Sequence, residues 1–399
     1  MTASVAVSRE TVGSSRRLLR GRAAIVSALL LSALFLAGCT GIASPEGWAG
    51  PVAADGTFFV SLERGKLSAI DQETGQARWT FPGNSKEEKE LKLKAIYGTP
   101  VVSGNRIYFG AYDGAAYAQD AETGALVWRT ETGGPIAGGP ALADGTIYVG
   151  SLDGKAYALN AETGKASWPT PFNAGAEIYA QPVVQGDVVY VATMGGRLFA
   201  LDAASGEPRW TFEADAGLPA APALVEGRLY IGSLDNHLYA VDAADGHLLW
   251  SFKAGNWFWT TPLVQDGIVY AAALDHKVYA LDAETGQTRW QKPFPTEDSV
   301  RATPALVADV LLVADRAGNV YGLRPDTGDQ VWSSALDAGV LANPLVMDGS
   351  VYFSLRNGHL ERVDPAKGDH TTLVPSPPLT PPTATPSSSA RAPLAEVTG

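Results

Sequence analysis

YVGSLDGKAYALNAETGKASW, residues 148–168, is the line from which most of this chain is built. It returns with few changes at 108–128 (YFGAYDGAAYAQDAETGALVW), 230–250 (YIGSLDNHLYAVDAADGHLLW) and 270–290 (YAAALDHKVYALDAETGQTRW). Looser copies occupy 59–79, 190–210 and 312–332, and an eighth starts at Tyr352 and lacks the final Trp. One glycine marks the same place in every copy: Gly75, Gly124, Gly164, Gly206, Gly246, Gly286, Gly328 and Gly368, spaced by 49, 40, 42, 40, 40, 42 and 40 residues. A fixed period of this size is the signature of a repeat architecture.

Within the unit, YVGS and AYAL alternate large with small residues, as half-buried strands do. Asp153-Gly154 between them reads as a two-residue hairpin, because both residues tolerate the positive φ of a type I′ turn. NAETG, residues 160–164, reads as a second turn, in which Asn and Thr side chains bond the backbone and Gly takes the left-handed position. The strand that follows carries the Trp. A further strand precedes YVGS and starts at a recurring proline: Pro51, Pro100, Pro140, Pro182, Pro222, Pro262, Pro304 and Pro344. Four antiparallel strands in about forty residues make a propeller blade. The expected fold is therefore all-β, an eight-bladed β-propeller over residues 50–374. No repeat carries helix-period patterning, which excludes a helical solenoid.

The recurring D-A-E-T-G-x-x-x-W resembles the tryptophan-docking motif of the pyrroloquinoline-quinone (PQQ) repeat family, and the resemblance runs from about residue 50 to 374. It implies that Trp79, Trp128, Trp168, Trp210, Trp250, Trp290 and Trp332 pack between neighbouring blades, against the turn of the next repeat. The chemistry of the residue agrees, since Trp brings a large apolar area and an N–H that needs a partner when buried. These seven are expected to be structural, not a binding surface.

Outside the repeats the chain changes character. Residues 1–38 read as an export signal: five arginines, then the apolar run 23–36, too short for a membrane span of about 20 residues. It ends in Leu36-Ala37-Gly38-Cys39, which resembles a bacterial lipobox and implies cleavage before Cys39 and acylation of its thiol. Cys39 is the sole cysteine in 399 residues, so no intramolecular disulfide is available. Ser15-Arg16-Arg17-Leu18-Leu19 loosely resembles a twin-arginine signal. Residues 39–49 form a lipidated tether, which would hold the propeller outside the cytoplasm against a membrane, an outer membrane or cell surface. Thr40, not Asp, follows the cysteine, which by resemblance to enterobacterial sorting permits an outer-membrane destination. Residues 375–399, rich in Pro, Ser and Thr, read as a disordered tail. The extra residues 83–95 between the first two repeats favour a solvated helical turn, with Glu88 and Lys92 at pairing distance, or an interaction handle.

The full chain carries a net charge of −12. Residues 1–38 hold five Arg and one Glu, so the remainder has 25 Lys+Arg against 41 Asp+Glu, a charge of −16. Such an acidic surface repels nucleic acid and anionic headgroups. Membrane attachment is then expected through the lipid, the partners to be envelope membrane proteins, and the propeller itself to be monomeric.

Catalytic signatures are scarce. His237, His247, His276, His359 and His370 have no metal-binding spacing, and there is no HExxH, GxSxG or Walker loop. Asp113, Asp153, Asp235 and Asp275 share one hairpin position and could ring a cation, yet Asp is also the ordinary residue of such a turn. No metal site and no catalytic residue is assigned. Propeller geometry gives a better candidate. The residue three before each recurring proline should stand around one central mouth: Trp48, Tyr97, Ala137, Tyr179, Pro219, Trp259, Arg301 and Leu341. Trp257 and Phe258 adjoin Trp259. Aromatics and Arg are the anchor types of interfaces, so Trp48, Tyr97, Tyr179, Trp257, Trp259 and Arg301 form a candidate partner or ligand site. The alternative is that they plug the channel.

The family resemblance implies two function classes. One is the quinoprotein dehydrogenase, holding PQQ and Ca²⁺ in the funnel; this chain lacks the vicinal cysteine pair many of those enzymes carry, and Glu177, Asn256, Asn343 and Asp298 are only scattered candidate ligands. The other is the lipid-anchored, non-enzymatic scaffold of outer-membrane assembly, which needs no cofactor. Lipobox, length and sparse chemistry favour the scaffold. A carbohydrate-binding surface module is a third reading.

Overall fold

The computed structural model describes residues 49–374, apart from 63, 64, 85, 87–90 and 92. The export signal, Cys39, the tether through Trp48 and the tail 375–399 lie outside the described residues.

The described chain forms 32 strands in eight four-stranded sheets, each a contiguous antiparallel meander. The fifth is representative: Ala223–Val225, Arg228–Gly232, His237–Asp242 and Leu248–Lys253. Every first strand begins one residue after a recurring proline, since Pro cannot donate to the ladder and sits best at a strand start. In the third and sixth blades the fourth strand shrinks to Phe172–Asn173 and Phe294–Pro295. Pro169 and Pro171, and Pro293 and Pro295, interrupt it there, and these are the two blades followed by a 42-residue period.

The turns divide differently from the sequence reading. The two-residue hairpins with both φ positive join first and second strands, as at Asp144-Gly145 (47° and 71°) and Asp266-Gly267 (52° and 72°). At Asp153-Gly154 only the glycine has positive φ. The loop there is longer, Ser151 to Gly154, closed by Gly154 N donating to the Ser151 carbonyl. NAETG folds as expected from its residues: Thr163 donates through N and Oγ1 to Asn160 Oδ1, and Gly164 takes φ +68°. At the equivalent Asp202, Arg209 and then Ser205 hold the carboxyl down to about 2.

The hydrophobic core is eight clusters, one in each seam between adjacent blades. Seven of these seams are built by one device. Trp Nε1 donates to a carbonyl in the next blade's turn: Trp79 to Ala121, Trp128 to Ala161, Trp168 to Ala203, Trp210 to Ala243, Trp250 to Ala283, Trp290 to Pro325 and Trp332 to Pro365, at 2.8–3.2 Å. The indole lies against that turn's glycine. A second donor, not singled out from the sequence, joins it. Tyr148, Tyr190, Tyr230 and Tyr270 donate their hydroxyls to the carbonyls of Ala203, Ala243, Ala283 and Pro325. One carbonyl thus accepts from two side chains of the preceding blade.

The eighth seam closes the ring without exchanging a strand, because the first and last sheets each come from one contiguous segment. Thr372 stands where the Trp would be. Phe58, Val60 and Ile70 instead pack on Tyr352, Leu360 and Val374, with the Phe58 and Tyr352 rings 5.1 Å apart. Of the insertion, Leu91 and Leu93 pack against the seam between the first two blades, so its described part is not only a solvated turn. Glu88 and Lys92 lie outside the described residues.

Candidate functional site

The segment entering each blade alternates its side chains between the seam and the axis. Four residues before the proline stand Ile96, Ile136, Ile178, Leu218, Phe258, Val300 and Val340, all at most 1% exposed. Ile136, Ile178 and Phe258 fill the space over Gly110, Gly150 and Gly232, where a Cβ would lie within 2.4 Å of them. Phe258 is therefore a core residue. The next residue in each segment turns to the axis. Tyr97, Ala137, Tyr179, Pro219, Trp259, Arg301 and Leu341 line one chamber of about 170 Å³.

Below it, the residue before each proline makes a belt. Gln181 Nε2 donates to the Pro140 carbonyl, Thr261 Oγ1 to Ala221, and Thr303 Oγ1 to Thr261, at 2.8–2.9 Å. Thr303 N donates to Asn343 Oδ1. Gln181, Ala221, Thr261 and Asn343 also border a second chamber of about 750 Å³ lined by the first strands, including Val101, Val183, Leu263 and Val346. The axial cavity is thus a small mouth and a larger, mainly apolar body that meet at the belt.

At the mouth, the Arg301 guanidinium lies 5.3 Å from the centre of the Trp259 ring. Burial, then the neighbouring Arg316, pushes the Arg301 pKa down, with Asp298 opposing. Its Nε is buried without a hydrogen-bond partner. Tyr179 is 38% exposed. Trp257 is 37% exposed and does not line the chamber. Its N donates to Asn256 Oδ1, and its carbonyl accepts from Leu274 N in the adjacent hairpin, which holds it on the rim. Trp48 lies outside the described residues.

The hairpin aspartates do not point at one another. Asp113, Asp153, Asp235 and Asp275 accept from the hydroxyls of Tyr117, Tyr157, Tyr239 and Tyr279, four residues on in their own blades. Asp153, Asp235 and Asp275 also accept a backbone N–H from the preceding blade's exit loop. Burial and the facing carboxylate push Tyr157 up to about 12. Of the scattered ligand candidates, Asp298 Oδ1 accepts from Ser299 N and Oγ, Asn256 is used by Trp257 and Leu274, Asn343 belongs to the belt, and Glu177 is exposed. No Asp or Glu is among the described residues lining the mouth. That donor set does not fit a divalent cation paired with a quinone. In the eighth blade, Glu361 replaces the usual Tyr. It is buried and accepts from Thr372 Oγ1 at 2.5 Å, with His370 3.4 Å away.

Comparison with known proteins identifies the repeats. The family profile described as outer membrane protein assembly factor BamB matches residues 43–123, 112–225, 214–330 and 277–390. BamB of Aliivibrio fischeri is 33% identical over 86 residues, 21% of this chain and 22% of that protein. The dehydrogenase subunit of a quinone alcohol dehydrogenase from Gluconacetobacter polyoxogenes is 30% identical over 89 residues, 21% of this chain and 11% of that protein. Each matched stretch is therefore a small part of its relative. The crystal structure of BamB from Moraxella catarrhalis superposes with a TM-score of 0.67 at 20% identity, over 79% of this chain and 93% of that one, and so shares its fold. The chain belongs to the family of PQQ-like β-propellers described as outer membrane protein assembly factor BamB.

Proposed function

We propose that this chain is a non-enzymatic scaffold, tethered by a lipidated Cys39 to the outer face of a membrane, that binds protein partners at its mouth. The observation that carries the reading is the mouth itself: Tyr97, Tyr179, Trp259 and Arg301 converge on one opening with Trp257 on its rim, and no carboxylate shares the lining among the described residues. Exposed aromatics and Arg in such a setting are interface anchors. Membership of a family described as an assembly factor of outer membrane proteins supports an envelope location and protein partners. Relatives named as quinone alcohol dehydrogenases keep a second reading alive, against which the donor set of the mouth argues.

The test is a pull-down from detergent-solubilised membranes with wild type and a Trp257→Ala/Trp259→Ala double mutant of unchanged melting temperature. Truncating an anchor costs about 2 kcal/mol or more of binding, so the mutant should lose partners that wild type retains. Equal recovery places the contact elsewhere. Oxidation of an alcohol or aldose by purified protein supplied with PQQ, Ca²⁺ and an artificial acceptor replaces the scaffold with the dehydrogenase. The anchor has its own test: a radiolabelled fatty acid should mark wild type and leave Cys39→Ser unlabelled. Equal labelling of the two removes the lipid tether.

A further inference from the structure

Most described arginines of the blade edges have an acid to answer them. Arg78 pairs with Asp71, Arg106 with Asp120, Arg209 with Asp187 and Asp202, and Arg289 with Asp282. Arg301 does not. Among the described residues it makes no ion pair and no hydrogen bond, and its Nε is buried. Asp298, the acid that acts on it, spends one carboxylate oxygen on Ser299 N and Oγ. A second cation, Arg316, adds to the positive field. Arg301 is half-buried, and a charge partly withdrawn from water without a counter-ion bears a desolvation cost; this one belongs to a protein whose overall charge is strongly negative.

The Arg301 guanidinium carbon lies over the Trp259 ring, 5.3 Å from its centre, and the residue lines the chamber. A guanidinium carries a planar fork of N–H donors, the shape that matches a carboxylate bidentately. The chamber in front, about 170 Å³, is smaller than the roughly 300 Å³ at which drug-sized pockets begin. It admits one side chain or a chain end, not a folded element. Tyr97, Tyr179 and Trp259 offer apolar faces to whatever carries the charge.

We infer that the mouth is a carboxylate-recognition site, in which Arg301, lying over the Trp259 ring, receives an acidic side chain or the C-terminal carboxylate of a partner polypeptide. This rests on the mouth being the contact site and specifies what it reads there.

The probe is hippurate, an aromatic acyl-glycine that ends like a peptide, with hippuramide as its neutral isostere and N-acetyl-aspartate amide as the side-chain counterpart. Binding is followed by the Trp259 indole N–H resonance, assigned with Trp259→Phe. Hippurate or the aspartate compound should shift it saturably, and the stronger of the two names the source of the carboxylate. Hippuramide should bind at least tenfold more weakly, as should hippurate to Arg301→Gln. Arg301→Lys, which keeps charge but loses the fork, should fall between. Equal affinity of hippurate and hippuramide, full affinity in Arg301→Gln, or no saturation by either acid up to its solubility limit overturns the inference. The membrane pull-down separates it from the parent reading. If Trp257→Ala/Trp259→Ala loses partners while Arg301→Gln keeps them, the mouth is the contact site but does not read a carboxylate.

Discussion

Replacing Trp168 or Trp250 with Ala is expected to lower the unfolding free energy by about 3–5 kcal/mol, the usual cost of emptying a large aromatic site. Both are buried, at 3% and 9% exposure, and each closes a seam rather than filling a blade. Removing Trp168 takes its ring from Tyr148, 5.7 Å away, and from the face of Gly206, and takes one of two donors from the Ala203 carbonyl. Trp250 stands in the same relation to Tyr230, Gly286 and Ala283. The surviving Tyr hydroxyl keeps the carbonyl satisfied, so the loss is one of packing, with little of the penalty for an orphaned acceptor. Urea unfolding should show the midpoint falling with the slope unchanged. A midpoint that does not move would mean that the indoles carry none of the seam's stability. Neither substitution touches the mouth, so partner recovery should persist wherever the variant stays folded.

What the sequence discloses here follows from repetition. Seven Trp, eight Gly and eight Pro recur in register, and a recurring residue names a recurring environment. Counting three residues back from each proline was enough to gather Tyr97, Ala137, Tyr179, Pro219, Trp259, Arg301 and Leu341 around one opening. Features that depend on who faces whom across space were not readable. Asp153 looked like half of a tight hairpin; its carboxylate instead accepts from Tyr157 and from Gly133 of the blade before. Within Asn256-Trp257-Phe258-Trp259, three aromatic neighbours have three fates, rim, core and mouth, because the chain twists there and composition does not record the twist. The second donor to four of the docking carbonyls, such as Tyr148 or Tyr230, was hidden inside an alternating strand, where an aromatic needs no special reason to be. Function is less legible still. One set of repeats serves assembly factors and quinone dehydrogenases alike, so the choice between them falls on a few mouth residues that do not recur.

Gly286→Ala and Gly267→Ala should differ although their backbones match. Both glycines belong to the sixth repeat and have nearly the same φ, +70° and +72°. A Cβ at either position bears the left-handed penalty of an L-residue, about 1–2 kcal/mol. At Gly267 that is all, since nothing lies within 4 Å of the added carbon. At Gly286 the carbon would sit 2.7 Å from Cδ2 and Cε3 of Trp250. That ring has little room to retreat: its Nε1 is bonded to the Ala283 carbonyl at 3.0 Å, and Tyr230 packs beside it at 5.8 Å. Overpacking of a fixed ring adds about 1–3 kcal/mol, so Gly286→Ala should destabilise by that much more than Gly267→Ala in denaturant. The extra cost belongs to the pair, not to the turn. In a Trp250→Ala background it should vanish, leaving Gly286→Ala and Gly267→Ala alike, a non-additivity expected only of residues in contact. Equal midpoints for the two single variants would show that the repeat keeps glycine at this turn for its φ alone, and that the indole does not dictate the residue beneath it.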